Sequence, residues 1–175
     1  MKAAIRRIPG LLLIFALALY AGCGYRIAGA VSNPPGGIRS LGIPTFANET
    51  REYKLEQQLT AAVLKEFALR TRIPITSQSR DVDAVLEGRI LNLNSSPITF
   101  GADSFASAFN VTVDISVRLV RLKDRAVLWE SQGFSYRAQY VLNSKVNQFF
   151  SEENAAVERL AKDFAASLAS SILAR

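Results

Sequence analysis

Between Ala108 and Leu122 the chain alternates apolar and polar residues. Val111, Val113, Ile115, Val117 and Leu119 are interleaved with Thr112, Asp114, Ser116 and Arg118. Successive side chains of a strand point to opposite faces, so this run is a strand with one dry face and one wet face. The dry face must be covered, and two segments can cover it. Within 51–72, Leu55, Leu59, Ala62, Val63 and Phe67 recur at helical spacing, with Gln57, Gln58, Lys65 and Glu66 on the wet side. Near the C-terminus Val157, Leu160, Phe164, Leu168 and Ile172 form a second stripe. Two helices with one apolar stripe each, set against one half-dry sheet, give an α+β two-layer sandwich. Both helices are expected on one face of a mixed four- to five-stranded sheet.

The other elements fit that plan. Ile38 to Phe46 is a short strand candidate ended by Pro44. Asn48, Glu49 and Thr50 offer cap residues for the first helix, and Arg70 and Arg72 sit where cations suit its dipole. Ile73 to Thr76 is brief and extended. Asp81-Val-Asp-Ala84 leads into a strand that runs to about Asn94, with Val82, Ala84, Leu86, Gly88 and Ile90 on one face, where Gly88 is expected to admit a helix closely. Asn92 to Ser107 is expected to be a hairpin connection. Lys123-Asp124-Arg125 is a turn, and Ala126 to about Tyr136 returns as the second arm. Tyr140 to Phe150 is irregular, and Ser151 caps the final helix with Glu152 and Glu153 in its first turn. The first strand, first helix and next strand form a βαβ unit, and the following strands an antiparallel meander.

The N-terminus has a different character. Lys2, Arg6 and Arg7 precede an apolar run from Ile8 to Tyr20, which has the layout of a secretory signal. The run falls short of the roughly 20 apolar residues a membrane span requires. Ala21 and Gly22 put small side chains just before Cys23, the only cysteine. This resembles a bacterial lipobox, with Tyr20 where Leu is usual. Residues 1–22 are thus expected to be a lipoprotein signal peptide, and Cys23 the first mature residue, carrying N-acyl and diacylglycerol groups. By resemblance to bacterial lipoproteins generally, Gly24 rather than Asp after the cysteine favours the outer membrane. With acyl chains contributing about 0.8 kcal/mol per buried CH₂, such an anchor is stable. Residues 23–37, with Asn33-Pro34-Pro35-Gly36-Gly37, are a lipidated tether. Residues 38–175 are expected to be a single domain.

Composition narrows the function classes. The formal charge of +6 falls to +3 without Lys2, Arg6 and Arg7, so the mature domain is mildly basic. That, with secretion, argues against a nucleic-acid partner but permits contact with an anionic lipid. The chain has no histidine and a single cysteine, so His-based triads, Cys-His nucleophiles and zinc sites with the usual ligands are excluded. No phosphate-binding glycine motif occurs. An enzyme would have to work with carboxylates, Ser, Lys or Tyr alone, and pairs such as Asp81 with Asp83 lie in a turn-like stretch. The expectation is a non-enzymatic protein without cofactor or metal.

Two surface features remain. Arg118, Arg121, Lys123 and Arg125 lie within eight residues at one hairpin end, offset locally only by Asp124. Cations on hairpins often serve solubility; several on one rigid hairpin can also bind a phosphorylated glycolipid. Ile98, Phe100 and Phe105 either fold back on the core or form an exposed apolar tip.

Several stretches together resemble one family. They are Cys23-Gly-Tyr25, Leu41-Gly-Ile-Pro-Thr-Phe46 with Asn48, the helix Leu55 to Arg70, Leu86-Glu-Gly88, the alternating strand, Val127-Leu-Trp129-Glu130 and the Ala-rich C-terminal helix. In this order and spacing they resemble the LPS-assembly lipoprotein (LptE) family, over nearly the whole mature chain. The resemblance implies a lipid-anchored domain on the periplasmic leaflet of the outer membrane. It implies a plug in the LPS-assembly β-barrel that helps assemble that barrel and deliver LPS to the cell surface. By position and charge, Arg118, Arg121, Lys123 and Arg125 become candidate contacts for LPS phosphates. The competing class is another outer-membrane accessory lipoprotein, such as a secretin pilot or a cell-wall synthase activator.

Overall fold

The computed structural model describes residues 34–100, 106–141 and 149–174. A 3-10 turn, Pro35–Gly37, leads into two very short strands, β1 (Leu41–Gly42) and β2 (Ala47–Asn48). Helix α1 (Leu55–Arg70) and strand β3 (Ile75–Thr76) follow. Three long strands come next: β4 (Ala84–Phe100), β5 (Ala106–Arg121) and β6 (Val127–Val141). Helix α2 (Phe149–Leu173) ends the described chain.

The sheet order is β3-β1-β4-β5-β6, with β2 also paired to β4. β1 is parallel to both β3 and β4, and β4, β5 and β6 form the antiparallel meander. Both helices cover one face, so the α+β sandwich expected from the sequence is the observed fold. Its core joins Leu55, Leu59, Val63 and Phe67 of α1 to Leu160, Phe164, Leu168 and Ile172 of α2. Beneath them lie Leu86 and Ile90 of β4 and the five apolar residues of β5 from Val111 to Leu119, all buried.

The expected first strand is split. Between β1 and β2 the chain lifts off β4, and Phe46 buries its ring over Gly88; a Cβ on Gly88 would stand 2.5 Å from three ring atoms. The close approach that Gly88 allows is therefore made by a ring, not by a helix. Thr60 of α1 fixes the loop: its Oγ1 accepts from the Phe46 N–H at 3.0 Å and donates to the Glu56 carbonyl at 2.6 Å. Thr60→Val keeps the shape but leaves a buried N–H without a partner. A loss of about 1–3 kcal/mol is expected, read by urea denaturation.

The helix α1 starts later than its cap signals suggest. Asn48 organises the turn before it instead: its Oδ1 accepts from the Thr50 N–H at 2.9 Å, and its Nδ2 donates to the Glu52 carbonyl and to Glu56 Oε2, both at 2.8 Å. Lys54 then takes the left-handed conformation (φ 66°) and α1 begins. At the other end Arg70 pairs with Glu66 at 2.5 Å and donates to Ser170 Oγ at 2.7 Å, tying α1 to α2.

The hairpin of β4 and β5 is longer than the apolar alternation indicates. Asn92 to Ser96 are paired with Asp114 to Asn110, and pairing continues to Phe100 opposite Ala106. Leu91 is an extra residue in β4, inserted between the Ile90–Ile115 and Asn92–Asp114 pairs. It is 40% exposed, while Leu93 beyond it turns toward the core. One inserted residue reverses which side chains face inward. β6 likewise continues past Tyr136 to Val141, and α2 begins two residues before Ser151.

Candidate functional site

The register brings several segments to one end of the sheet. Leu41 of β1 lies beside Ala84 of β4, and Ala84 lies beside Arg121 of β5. The β5–β6 turn (residues 122–126) therefore projects from the end where β1 and β4 begin. The Leu122 N–H donates to the Asp83 carbonyl at 2.9 Å, joining this turn to the loop before β4.

Within the turn, Asp124 is the organiser. Its Oδ1 accepts from the Ala126 N–H at 3.2 Å and its Oδ2 from Arg121 Nη1 at 3.2 Å. The Ala126 backbone N–H, opposed by desolvation and then supported by the charge and hydrogen bond of Arg121, holds its carboxyl below the usual carboxylate value. Asp124 is thus ionised throughout the neutral range. Arg125 closes the turn in the left-handed region (φ 59°).

Arg121 also reaches back to the incoming chain, its Nη2 donating to the Gly36 carbonyl at 3.2 Å. Gly36 has φ 79°, and a Cβ there would lie 2.7 Å from Arg121 Nη2 and 3.0 Å from Leu128. Both the conformation and the space require glycine at this position. The chain enters the packed unit alongside the β5–β6 turn.

The four cations singled out in the sequence are not one constellation. Arg118 lies three residues before Arg121 on the strand and faces the helix-free side of the sheet. Its Nε donates to Glu87 Oε2 at 2.7 Å, and Glu130 stands opposite it on β6. Arg89 and Glu49 form a neighbouring ion pair on the same face. Arg121 is engaged as described. Lys123 and Arg125 are exposed and have no ion pair among the described residues.

The same end holds cations that lie far from the turn in sequence. Arg72 follows α1 and precedes β3, whose Ile75 lies beside Leu41; Arg80 sits in the loop before β4. Both are exposed and without an ion pair among the described residues. Arg39 is paired with Asp83, which also accepts from the Arg39 N–H at 2.8 Å and donates its own N–H to Ser40 Oγ at 2.9 Å. Asp83 therefore fastens β1 to β4. No local spacing rule links Arg72 or Arg80 to a turn some forty to fifty residues further on; only the pairing of β1, β3, β4 and β5 does.

The opposite end of the meander is apolar. Ile98 is 47% exposed and Phe100 62% exposed, with Val141 on β6 similarly open. Phe105 and Cys23 lie outside the described residues. Among the described residues no group of His, Cys, Asp and Glu could hold a metal ion. None of the helices there is long and apolar enough to cross a membrane.

A family model named LptE and described as lipopolysaccharide-assembly matches residues 38–172. Solved structures of similar fold include lipoprotein B from Nitrosomonas europaea, 14% identical, covering 86% of this chain and 91% of that one with a TM-score of 0.57. A protein from Xanthomonas campestris is 14% identical over 83% of this chain and 91% of its own, TM-score 0.55. The PelC dodecamer from Paraburkholderia phytofirmans is 14% identical over 78% and 89%, TM-score 0.52. At these identities the likeness is one of fold. No curated protein matches the chain.

Proposed function

Because the chain belongs to the lipopolysaccharide-assembly family LptE, we propose that it is anchored through acylated Cys23 in the periplasmic leaflet of the outer membrane. There it plugs the LPS-translocating β-barrel, helps that barrel assemble and assists delivery of LPS to the cell surface. The observation that carries this reading is the extent of the match. It runs from Ile38 to Ile172, and the core runs from Ile38 to Leu173. The family signal thus spans the entire packed unit rather than one motif.

The outer face of the sheet suits a position inside a barrel. Glu87, Arg89, Ser116, Arg118, Glu130 and Gln132 make it polar and largely self-paired, and barrel lumens are polar. The role is non-enzymatic: the domain supplies surfaces, and its carboxylates at Glu49, Glu87 and Asp124 are engaged with arginines. Lys123 and Arg125 are the candidate contacts ready to meet LPS phosphates. Arg118 and Arg121 join them by exchanging Glu87 and Asp124 for a phosphate, which guanidinium groups also bind bidentately.

Affinity purification of the full-length lipoprotein from membranes tests the proposal. A large outer-membrane β-barrel is expected to come with it in comparable amount. Recovery of a secretin or a cell-wall synthase in its place overturns the barrel role. Reversing the charge of Arg118, Arg121, Lys123 and Arg125 together is expected to weaken LPS binding. Unchanged LPS binding removes these residues from the site.

A further inference from the structure

The basic end of the sheet is larger than the hairpin turn. Lys123 and Arg125 come from the β5–β6 turn, Arg80 from the loop before β4 and Arg72 from the link between α1 and β3. All four are exposed, and none has an ion pair among the described residues. The other charges at this end cancel in pairs, Arg39 with Asp83, Arg70 with Glu66 and Arg121 with Asp124. Among the described residues Asp81 is the one carboxylate left over against the four cations. Strands in a sheet are about 4.8 Å apart, so residues at one end of β3, β1, β4 and β5 fall within roughly 15–20 Å. That is the footprint of a few lipid headgroups rather than of one phosphate.

This is also the end at which the chain enters. Arg121 holds the Gly36 carbonyl beside the turn. The ten residues Gly24 to Asn33 reach at most about 36 Å. An anchor at Cys23 therefore keeps this end within about 36 Å of the leaflet that holds it. β4 alone has 17 residues, so the tip lies some 50 Å further along the sheet.

We propose that the basic end, built from Arg72, Arg80, Lys123 and Arg125, docks on the anionic phospholipid headgroups of the leaflet in which the chain is anchored. The inference rests on the reading of Cys23 as the anchor and does not require LPS contact. Segments far apart in sequence act together here and hold the domain upright, with its apolar tip turned away from that leaflet. Cations near an anionic surface act additively, each strengthening binding about fivefold, and salt weakens them.

The test uses the chain from Gly24 onward, which keeps every core residue, since these lie from Ile38 to Leu173. Co-sedimentation is measured with phosphatidylcholine vesicles and with vesicles containing roughly one third phosphatidylglycerol, without LPS. Binding is expected only to the anionic vesicles. Arg72→Glu with Arg80→Glu is expected to reduce it at least tenfold, as is Lys123→Glu with Arg125→Glu. Arg51→Glu with Arg137→Glu, elsewhere on the surface, is expected to leave it unchanged. The corresponding glutamine pairs give the same ranking if a reversed pair fails to fold. Equal binding to neutral vesicles overturns the proposal, as does a loss confined to the turn pair. Binding to LPS but not to phosphatidylglycerol overturns it while leaving the LPS role intact. Failure of the barrel to co-purify, with vesicle binding retained, refutes the proposed function alone.

Discussion

Phe164→Ala is expected to lower stability by about 3–5 kcal/mol, the upper range for a buried aromatic. Phe164 has no exposed surface and stands at the centre of the aromatic cluster. Its ring meets Tyr136 edge-on with centroids 5.5 Å apart, Phe134 at 5.8 Å and Phe46 at 6.3 Å. Edge-on aromatic pairs add roughly 0.5–1.5 kcal/mol each beyond the area they bury. The three partners come from β6 and from the loop between β1 and β2, so one truncation loosens both sides of the sheet from α2. Thermal unfolding followed by circular dichroism should show the midpoint falling by about 10 °C or more. Phe164→Leu, which keeps most of the volume, should cost clearly less. A Phe164→Leu midpoint equal to that of the unsubstituted protein would show that the ring contacts contribute little.

Gly88→Val should destabilise by about 1–3 kcal/mol or more, through overpacking rather than a cavity. The new Cβ would need the place where the Phe46 ring lies, 2.5 Å from Cγ, Cδ2 and Cε2. The ring cannot simply swing aside. Its backbone N–H is fixed on Thr60, and Phe164 stands beside it. The diagnostic experiment is a double-mutant cycle. Phe46→Ala should absorb the valine, so that the double variant loses less than the sum of the two single losses. Additive losses, measured by chemical denaturation, would mean that Gly88 matters for backbone freedom and not for the ring above it.

These two sites show what was legible in the sequence and what was not. The alternation from Val111 to Leu119 and the stripes of α1 and α2 directly reported which side chains are buried, and hence the sandwich. Gly88 was legible as a place of close approach, but the occupant was not. A glycine reports missing volume, whereas the ring that fills it comes from a loop about forty residues earlier. The ends of β4 and β5 were illegible for a different reason. Asn92 to Ser96 carry no apolar alternation, because that stretch is held by backbone pairing to β5 with its side chains mostly in solvent. The basic end was half legible. Clustering in sequence pointed to Lys123 and Arg125 on one turn, but could not tell that Arg118 is paired across the strands with Glu87. Arg72 and Arg80 could be added only by knowing which strands are neighbours.

The placement of α2 bears on when the core can form. Its residues from Ala156 to Leu173 supply one wall of the core, packed on α1 and β6. Until they have been synthesised, the dry face of β5 and the inner stripe of α1 have no common cover. The meander from Ala84 to Val141 consists of contacts between sequence neighbours and can pair early, but it cannot bury Phe134 or Tyr136 without Phe164. Emergence of the chain at about 5–20 residues per second puts several seconds between the completion of Leu86 and that of Leu173. During that interval the core lacks the wall that α2 supplies. If the chain is exported, as the proposed anchor at Cys23 requires, the order in which its segments are made keeps it competent to pass as an unfolded thread.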